Sequence, residues 1–404
     1  MFEKIVYIVW IFSLIYLGYF VVTSVGIFKK KKNNIVSSKR ENFFAVIIAA
    51  RNEEFVIGKL IDSLKKQNYS SKYFDIYVIV NNCTDNTFEV AKKAGAKTIL
   101  CTEKVSTKGE VLKYAFDILK DNDKIDAYAI FDADNIVHPD FLNKMNDMIN
   151  SGYSVAQGFR DTKNISDNWL TSSYAILYYL QSLFLNESRY NLGKSSFLNG
   201  TGFIIKKEVI DKHGFNPKTV TEDIEFTAMC AINNEKIGFA KEAITYDEQV
   251  SRFDVSWKQR KRWSFGAMEC LKEYFPTLLK KGIKERNFEC FDVSLFYLSV
   301  ILHVIFNLLP IFLVINTFIH ISSLTFDDMF YKIVFAFISY LFGVVVRILL
   351  LKKYNKSFKN NIGGILLFDL FVISWIPINF ICIFIKSCNW DSINHNRNID
   401  IENV

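Results

Sequence analysis

Apolar and polar positions divide this chain into unequal parts. Residues 5–28 are uncharged and largely apolar, and Lys29, Lys30, Lys31 and Lys32 follow at once. About 20 apolar residues suffice to cross a bilayer as a helix. Three more such runs lie at about 291–321, 330–351 and 362–385. Basic loops stay on the cytoplasmic side. The lysines after the first run, and Lys352, Lys353, Lys356 and Lys359 after the third, then face in, while Asp327 and Asp328 face out. This predicts a multi-pass protein of the cell (plasma) membrane with four spans and the hydrophilic block 41–289 wholly cytoplasmic. A cleaved signal peptide fits the first run poorly. The run is too long, no small-residue cleavage site stands out, and the charges flank the wrong end.

The hydrophilic block alternates. Phe43–Ala50 reads as a buried strand, followed by Arg51-Asn52-Glu53-Glu54 and a helix-period segment to about Lys66. Ile76–Val80 is a second strand, ending in Asn81-Asn82-Cys83-Thr84-Asp85, and a helix follows over Thr87–Ala94. A short strand at Thr98–Cys101, a helix after Gly109 and a strand ending at Asp132 complete the series. Strands alternating with helices predict an α/β fold, a mostly parallel sheet covered on both faces. Ligands of such sheets sit at the carboxyl ends of the strands, where this chain places polar clusters.

Two further segments need placing. Trp169–Leu185 is apolar enough to mimic a span, but a crossing there would put Asp132 and Asp223 on opposite sides of the membrane. It is expected in the interface instead. Ser264–Lys281 repeats apolar residues at Phe265, Met268, Leu271, Phe275 and Leu278, with Lys272, Glu273, Lys280 and Lys281 on the other face. That spacing predicts an interfacial amphipathic helix. The expected organisation is an anchor with its basic flank at 1–40, a cytosolic domain at 41–263, the amphipathic helix at 264–290 and a membrane region at 291–404.

Composition adds little beyond this. Half of the 404 residues are apolar and 38 are Phe. The net charge of +7 gathers near membrane boundaries, which suits topology and anionic lipid rather than nucleic acid. The seven cysteines show neither pairing nor metal-ligand spacing, as expected of reduced thiols.

The candidate chemistry begins at Ala129-Ile130-Phe131-Asp132-Ala133-Asp134. If the chain stays extended there, both carboxylates point the same way. They can then hold a Mg²⁺ ion against a diphosphate. A turn or helix cap is the plain alternative, and on Asp-X-Asp alone that alternative prevails. Downstream lie Val220-Thr221-Glu222-Asp223 and Gln259-Arg260-Lys261-Arg262-Trp263. Together these motifs resemble the family-two glycosyltransferases of the membrane-embedded, polymer-forming kind: cellulose, hyaluronan and poly-N-acetylglucosamine synthases. The likeness runs over about 43–263, with a similar transmembrane arrangement around it.

The resemblance implies a GT-A-type catalytic domain, a UDP-sugar donor, and Mg²⁺ or Mn²⁺ held by Asp132 and Asp134. It implies Asp223 as general base for an inverting transfer, with a helix start capped by Thr221 as a compatible reading. Glu222, Gln259, Arg262 and Trp263 would line the acceptor and diphosphate region, beside the small-residue loop Gly200-Thr201. An interfacial anchor suits Arg260 and Lys261. Ala49, Arg51, Glu53 and Lys108 would meet the nucleotide and donor, Lys108 being equally readable as a solvated lysine. One departure stands out: the family usually has Asp where this chain has Asn81. Asn81 can still accept a hydrogen bond from uracil, and Asp85 is a possible substitute. His138 reads as a loop or helix-start residue.

The implied activity is a β-glycosyl transfer that builds and exports a polysaccharide. A lipid glycosyltransferase of the ceramide type, adding one sugar, shares the motifs. A non-catalytic membrane scaffold is the reading from another class. Four spans are few for a polymer channel, which leaves room for a homodimer or a small membrane subunit. Within the spans, His303 and Asn307 lie one turn apart, Arg347 and Asp369 are expected to pair, and Ser374-Trp375-Ile376-Pro377 interrupts the last run.

Overall fold

A computed structural model describes residues 2–29, 40–319, 326–388 and 399–403. Lys30, Lys31 and Lys32, and the side chains of Asn307, Asp327 and Asp328, lie outside the described residues. The first half of the catalytic-type domain follows the sequence pattern closely. β1 (Phe44–Ala50), β2 (Phe74–Val80), β3 (Lys97–Leu100) and β4 (Ala127–Asp132) are parallel neighbours in the order β3-β2-β1-β4. β1 shows why. Phe44, Val46 and Ile48 point into one core and Ala45 and Ile47 into another, all fully buried. A strand covered on both faces needs a continuous apolar run, and Phe44–Ala50 supplies it.

After helix α1 (Phe2–Ser24), α2 (Ile57–Lys65), α3 (Thr87–Lys93) and α4 (Lys108–Leu119) join these strands. Four more strands complete one eight-stranded mixed sheet, β5 (Ile136–Val137), β6 (Val155–Thr162), β7 (Phe203–Lys206) and β8 (Ile237–Asp247). β7 runs antiparallel between β4 and β6, and β8 lies parallel to β6. The short helices α5 (Phe141–Asn150), α7 (Ser188–Asn191), α8 (Lys207–His213) and α9 (Glu222–Ile232) connect this half.

Helix α6 (Trp169–Gln181) departs from expectation. It is buried between the sheet and helix α13 (Ile362–Ile373) rather than lying on an interface with one face free. Tyr174, Ile176 and Tyr179 have no exposure. The approach is close: a side chain on Gly364 would meet Ser172 Cβ at 2.2 Å. Helix α10 (Phe253–Lys284) departs too. It is one continuous helix that carries both Gln259–Trp263 and the amphipathic segment, so residue 263 lies mid-helix. Its apolar residues Phe265, Met268, Leu271 and Leu278 are buried. α9, α11 (Phe288–Ile319) and α14 (Trp375–Phe384) pack against this helix. The periodicity detected a buried face, but protein covers it, not lipid.

Among the described residues four stretches are long and apolar enough to span a membrane: Ile11–Phe28, Phe288–Ile305, Met329–Lys353 within α12 (Phe326–Lys353), and Ile362–Phe384. The last is α13 and α14, broken at Ser374 as the sequence suggested. The expected ion pair forms: Arg347 Nη2 lies 2.5 Å from Asp369 Oδ1, and Nη1 donates to the Ile365 carbonyl at 2.6 Å. Removing one member of such a pair strands a charge in a medium that cannot solvate it. Arg347→Met is expected to cost about 3 kcal/mol, and Arg347→Met/Asp369→Leu to recover most of it. Thermal unfolding in detergent reads both; equal stability of the single and double variants would remove the pair from the account.

Polar contacts tie the membrane helices to the domain. Ser264 Oγ donates to Asn379 Oδ1 at 2.6 Å, and Asn379 Nδ2 lies 3.1 Å from His303 Nδ1. In the segment between α12 and α13, Lys356 pairs with Asp161 at 2.8 Å. At the end of α12, Lys353 pairs with Glu187 at 3.2 Å.

Candidate active site

The carboxyl ends of β1, β2 and β4 meet at one rim, where Ala49 stands in register with both Asp132 and Ile79. The loops there are braced against each other. Asn52, in the left-handed region at φ 59°, accepts from Thr84 N at 2.8 Å through Oδ1. Glu53 N donates to Thr87 Oγ1 at 2.8 Å. Asp85 spends both oxygens as a clamp: Oδ1 accepts from Thr87 Oγ1 at 2.6 Å and Oδ2 from Glu54 N at 3.1 Å. It holds the Arg51–Glu54 turn and the start of α3, so its carboxylate is already engaged. Asn81 is 1 % exposed, and neither atom of its amide has a partner.

β4 ends at Asp132, and the chain turns there instead of continuing extended, with Asn135 N donating to the Asp132 carbonyl at 3.1 Å. The two carboxylates are therefore arranged by a turn, not by strand alternation. Asp132 N donates to Asn135 Oδ1 and Thr201 Oγ1, both at 3.0 Å. Thr201 is fully buried and also donates to Asn135 Oδ1. It braces this turn rather than facing an acceptor. Asp134 Oδ2 takes a long bond from Glu248 N at 3.4 Å. His138 follows β5, its Nδ1 accepting from Asp140 N at 3.2 Å, which makes it the expected loop residue.

Negative charge accumulates at this rim. Burial, then Asp134, Asp132, Asp85 and Glu248, push the Glu53 carboxyl up to about 9. Such a surplus of oxygen donors suits a hard divalent cation. Among the described residues no group of three or more His, Cys, Asp or Glu could hold a metal by itself. A Mg²⁺-type ion on a nucleotide needs only one or two carboxylates, the phosphates and water supplying the rest. The donor set at Asp132 and Asp134 fits that arrangement.

Lys108 opens α4 and is not a solvated lysine. Its Nζ lies 2.5 Å from Asp132 Oδ1 and 3.4 Å from Glu222 Oε1, and donates to the Gly200 carbonyl at 2.6 Å. Burial opposes its charge, but the carboxylates of Asp132 and Glu222 outweigh that and hold the ammonium above its ordinary range. The ion thus joins the end of β4 to the first turn of α9. There Glu222 is buried, and loss of water raises its carboxyl to about 7 against the pull of Lys108. Asp223 is likewise raised by burial, with its helix-terminal backbone N–H groups, Lys108 and Arg160 opposing. Gly200 has φ 91°, and a Cβ there would lie 3.5 Å from Asp223 Oδ2 and 3.8 Å from Arg160 Nη1. A glycine keeps backbone and carboxylate this close without strain. Thr221 occupies the N-cap position but makes no capping bond. Glu225 instead fixes the preceding loop, accepting from Lys218 N, Thr219 N and Tyr274 OH.

On α10, Trp263 packs edge-on against Tyr174 and Tyr178 of α6, at 6.1 and 6.5 Å between ring centroids, and lies 6.3 Å from Trp375. Gln259 Oε1 is buried without a partner. Arg262 is partly exposed, beside them in sequence. Arg260 is no interfacial anchor: it is fully buried.

Residues 41–266 match the model of the family described as Glycosyltransferase like family 2. The chain belongs to that family. Its relatives include a Beta-monoglucosyldiacylglycerol synthase of Nostoc sp., 25% identical over 258 residues, covering 62% of this chain and 54% of that protein. The Probable glycosyltransferase YdaM of Bacillus subtilis is 24% identical over 279 residues, 63% of each chain. The match thus spans little more than half the length of the first of these. Among solved structures, the mannosyltransferase PcManGT of Pyrobaculum calidifontis, in complex with GDP-Man and Mn²⁺, superposes with a TM-score of 0.61 at 14% identity. That superposition covers 92% of this chain and 98% of the other, and it establishes the shared GT-A-like fold.

This family-two glycosyltransferase also holds site residues that the motifs did not mark. Arg160, in β6, pairs with Asp247 at the end of β8 and donates to the Asn199 carbonyl at 2.6 Å. Its guanidinium lies 4.0 Å over the Tyr178 ring. Burial, with Asp134 and Asp132 adding to it, raises the Asp247 carboxyl to about 6 against Arg160. The available signal was a lone arginine inside an otherwise buried strand.

Proposed function

We propose that the protein moves a single hexose or N-acetylhexosamine from a UDP-sugar to a lipid hydroxyl at the cytoplasmic face of the plasma membrane, inverting the anomeric centre. The observation that carries the chemistry is the Lys108 bridge, which puts the donor-side carboxylate Asp132 and the first turn of α9, with Asp223, into one site. Asp223 accepts the proton of the acceptor hydroxyl as that oxygen bonds to the anomeric carbon. The carbon–oxygen bond to the diphosphate breaks on the opposite face, and UDP leaves with the electron pair. An α-linked donor then gives a β-linked product. Asp132 and Asp134 would hold Mg²⁺ or Mn²⁺, which supplies positive charge to the departing diphosphate. Lys108 and Arg160 add fixed positive charge beside the site. Ala49, Arg51, Glu53 and Asn81 form the nucleotide side, and Gly200, Glu222, Gln259, Arg262 and Trp263 the acceptor and diphosphate side.

A lipid acceptor is favoured by the membrane part. In the Ile11–Phe28 and Met329–Lys353 spans only 11% of the residues are buried against protein, which leaves most of both helices open to lipid. The names of the Nostoc relative and its kin point the same way. Lys353 and Lys356 meet the catalytic domain, on the side that basic loops mark as cytoplasmic. A β-linked polysaccharide is the second reading, supported by the Ser374–Pro377 break and the motif set; a homodimer or small subunit would then complete the path.

Two assays test this. Protein in nanodiscs containing diacylglycerol, given UDP-glucose, is expected to form an organic-extractable lipid carrying one sugar; a long water-soluble glycan would establish the second reading instead. Chelation with EDTA is expected to stop UDP release and added Mn²⁺ to restore it. Full release in EDTA would remove the metal from the proposal.

A further inference from the structure

Arg260 is a cation that the chemistry above leaves without a task. It lies between Gln259 and Arg262 on α10 and is fully buried, yet no ion pair to a carboxylate is found for it among the described residues. Nε donates to the Ser256 carbonyl at 3.3 Å, and Nη1 to the Phe371 carbonyl at 3.2 Å and to Ser374 Oγ at 2.6 Å. Nη2 has no partner. The rings of Phe371, Phe253 and Trp375 surround the guanidinium at 4.8, 5.4 and 5.6 Å. Burying a charge without a counter-charge costs several kcal/mol. An apolar side chain of similar length would fill this space more cheaply.

The place explains the cation. Phe371 and Ser374 stand at the end of α13, where the last carbonyls of a helix lack intrahelical donors and the dipole favours positive charge. Pro377 cannot give the N–H that the Ile373 carbonyl would take in an unbroken helix. In an apolar surrounding, unmatched carbonyls are costly. Ser374 Oγ donates to the Phe371 carbonyl at 2.6 Å, and Arg260, bonded to both that carbonyl and Ser374 Oγ, completes the cap of a membrane helix from outside it, from the helix that carries the Gln259–Trp263 motif.

From the same break a packed path leads to the catalytic carboxylate. Trp375 meets Trp263, Trp263 meets Tyr178, and Tyr178 lies under Arg160. Arg160 holds the Asn199 carbonyl next to Gly200, which faces Asp223. We propose that Arg260 is a positioning residue: by capping α13 at the membrane break it fixes α10, and with it Trp263 and Arg262, against the incoming acceptor. This rests on the reading of the α10 motif as the acceptor side.

The test is a pair of titrations on full-length protein in nanodiscs, with diacylglycerol varied at saturating UDP-glucose and then the reverse. Arg260→Met is expected to raise the acceptor KM about tenfold and leave the donor KM within about twofold. Arg260→Lys, which keeps the charge and one donor, is expected to recover most of the loss. An unchanged acceptor KM in Arg260→Met overturns the proposal. So does a parallel rise in both constants that Arg260→Lys does not relieve, because that is loosening of the fold. Should Arg260→Met not accumulate as folded protein, Ser374→Ala keeps the guanidinium and removes one of its partners. The same split at about threefold is then expected, and its absence is equally fatal. If the wild type extends a glycan instead of glycosylating diacylglycerol, the lipid reading fails. The split is then titrated on that glycan, so the two failures stay distinct.

Discussion

Asp223→Asn is expected to lower turnover by about 10³-fold, the middle of the range that a positioned general base supplies, and to leave UDP affinity within about twofold of wild type. The substitution keeps the shape and removes the proton acceptor. Asp223 opens α9, stands beside the Gly200 turn and is within the influence of Lys108 and Arg160, so the amide is accommodated without repacking. The wild-type pH profile has a matching sign. Burial raises the Asp223 carboxyl, so the base is lost by protonation as pH falls through a value above that of a free aspartate, about 3.9. The acid limb of kcat/KM, which reports the free enzyme, is therefore expected to be displaced upward, and the residual rate of Asp223→Asn to lack that limb. Steady-state kinetics with UDP binding measured separately checks both. A variant with wild-type turnover would return Asp223 to the plain role of a helix-terminus acid, and the chain to the scaffold reading.

Asp134→Asn is the second large effect. Asp134 shares the rim with Asp132, Glu53 and Glu248, and its field raises Glu53. Asp134 Oδ1 accepts from Asn135 Nδ2 and Oδ2 from Glu248 N, each at a long 3.4 Å. Losing one of two carboxylates for a divalent cation removes several kcal/mol of charge stabilisation, about 10²-fold in kcat at fixed metal. Raising Mn²⁺ is expected to recover part of the loss, with thermal stability close to wild type. The readout is a Mn²⁺ titration of UDP release. A variant that loses activity at every metal concentration and melts earlier would assign Asp134 to the turn, as the plain reading of Asp-X-Asp has it.

The sequence showed the first half of the sheet because β1, β2 and β4 are largely apolar on both faces and end in polar clusters. The second half was hidden for a physical reason. β6 and β8 carry Gln157, Asp161 and Asp247 into buried positions and Arg160 into a half-buried one, where partners distant in sequence satisfy them. Nothing local marks such residues as strand. The same distance concealed the turn at Asp132, which Thr201 braces from 69 positions away. Lys108 looked ambiguous because its three partners come from β4, α9 and the Gly200 loop. For α10 the helical period gave the buried face correctly, and for α6 the apolar run signalled burial, but neither pattern could say whether lipid or protein covers the helix. The Arg347–Asp369 pair was legible because an ionised group inside a span has few other options.

The most direct test is UDP release by the detergent-purified protein with Mg²⁺ or Mn²⁺, across UDP-glucose, UDP-N-acetylglucosamine, UDP-glucuronate and UDP-galactose, with and without a lipid acceptor. The expected result is metal-dependent release from one preferred donor, strongly increased by the lipid and lost in Asp223→Asn. Release from no donor under any of these conditions would contradict the proposed UDP-sugar transfer.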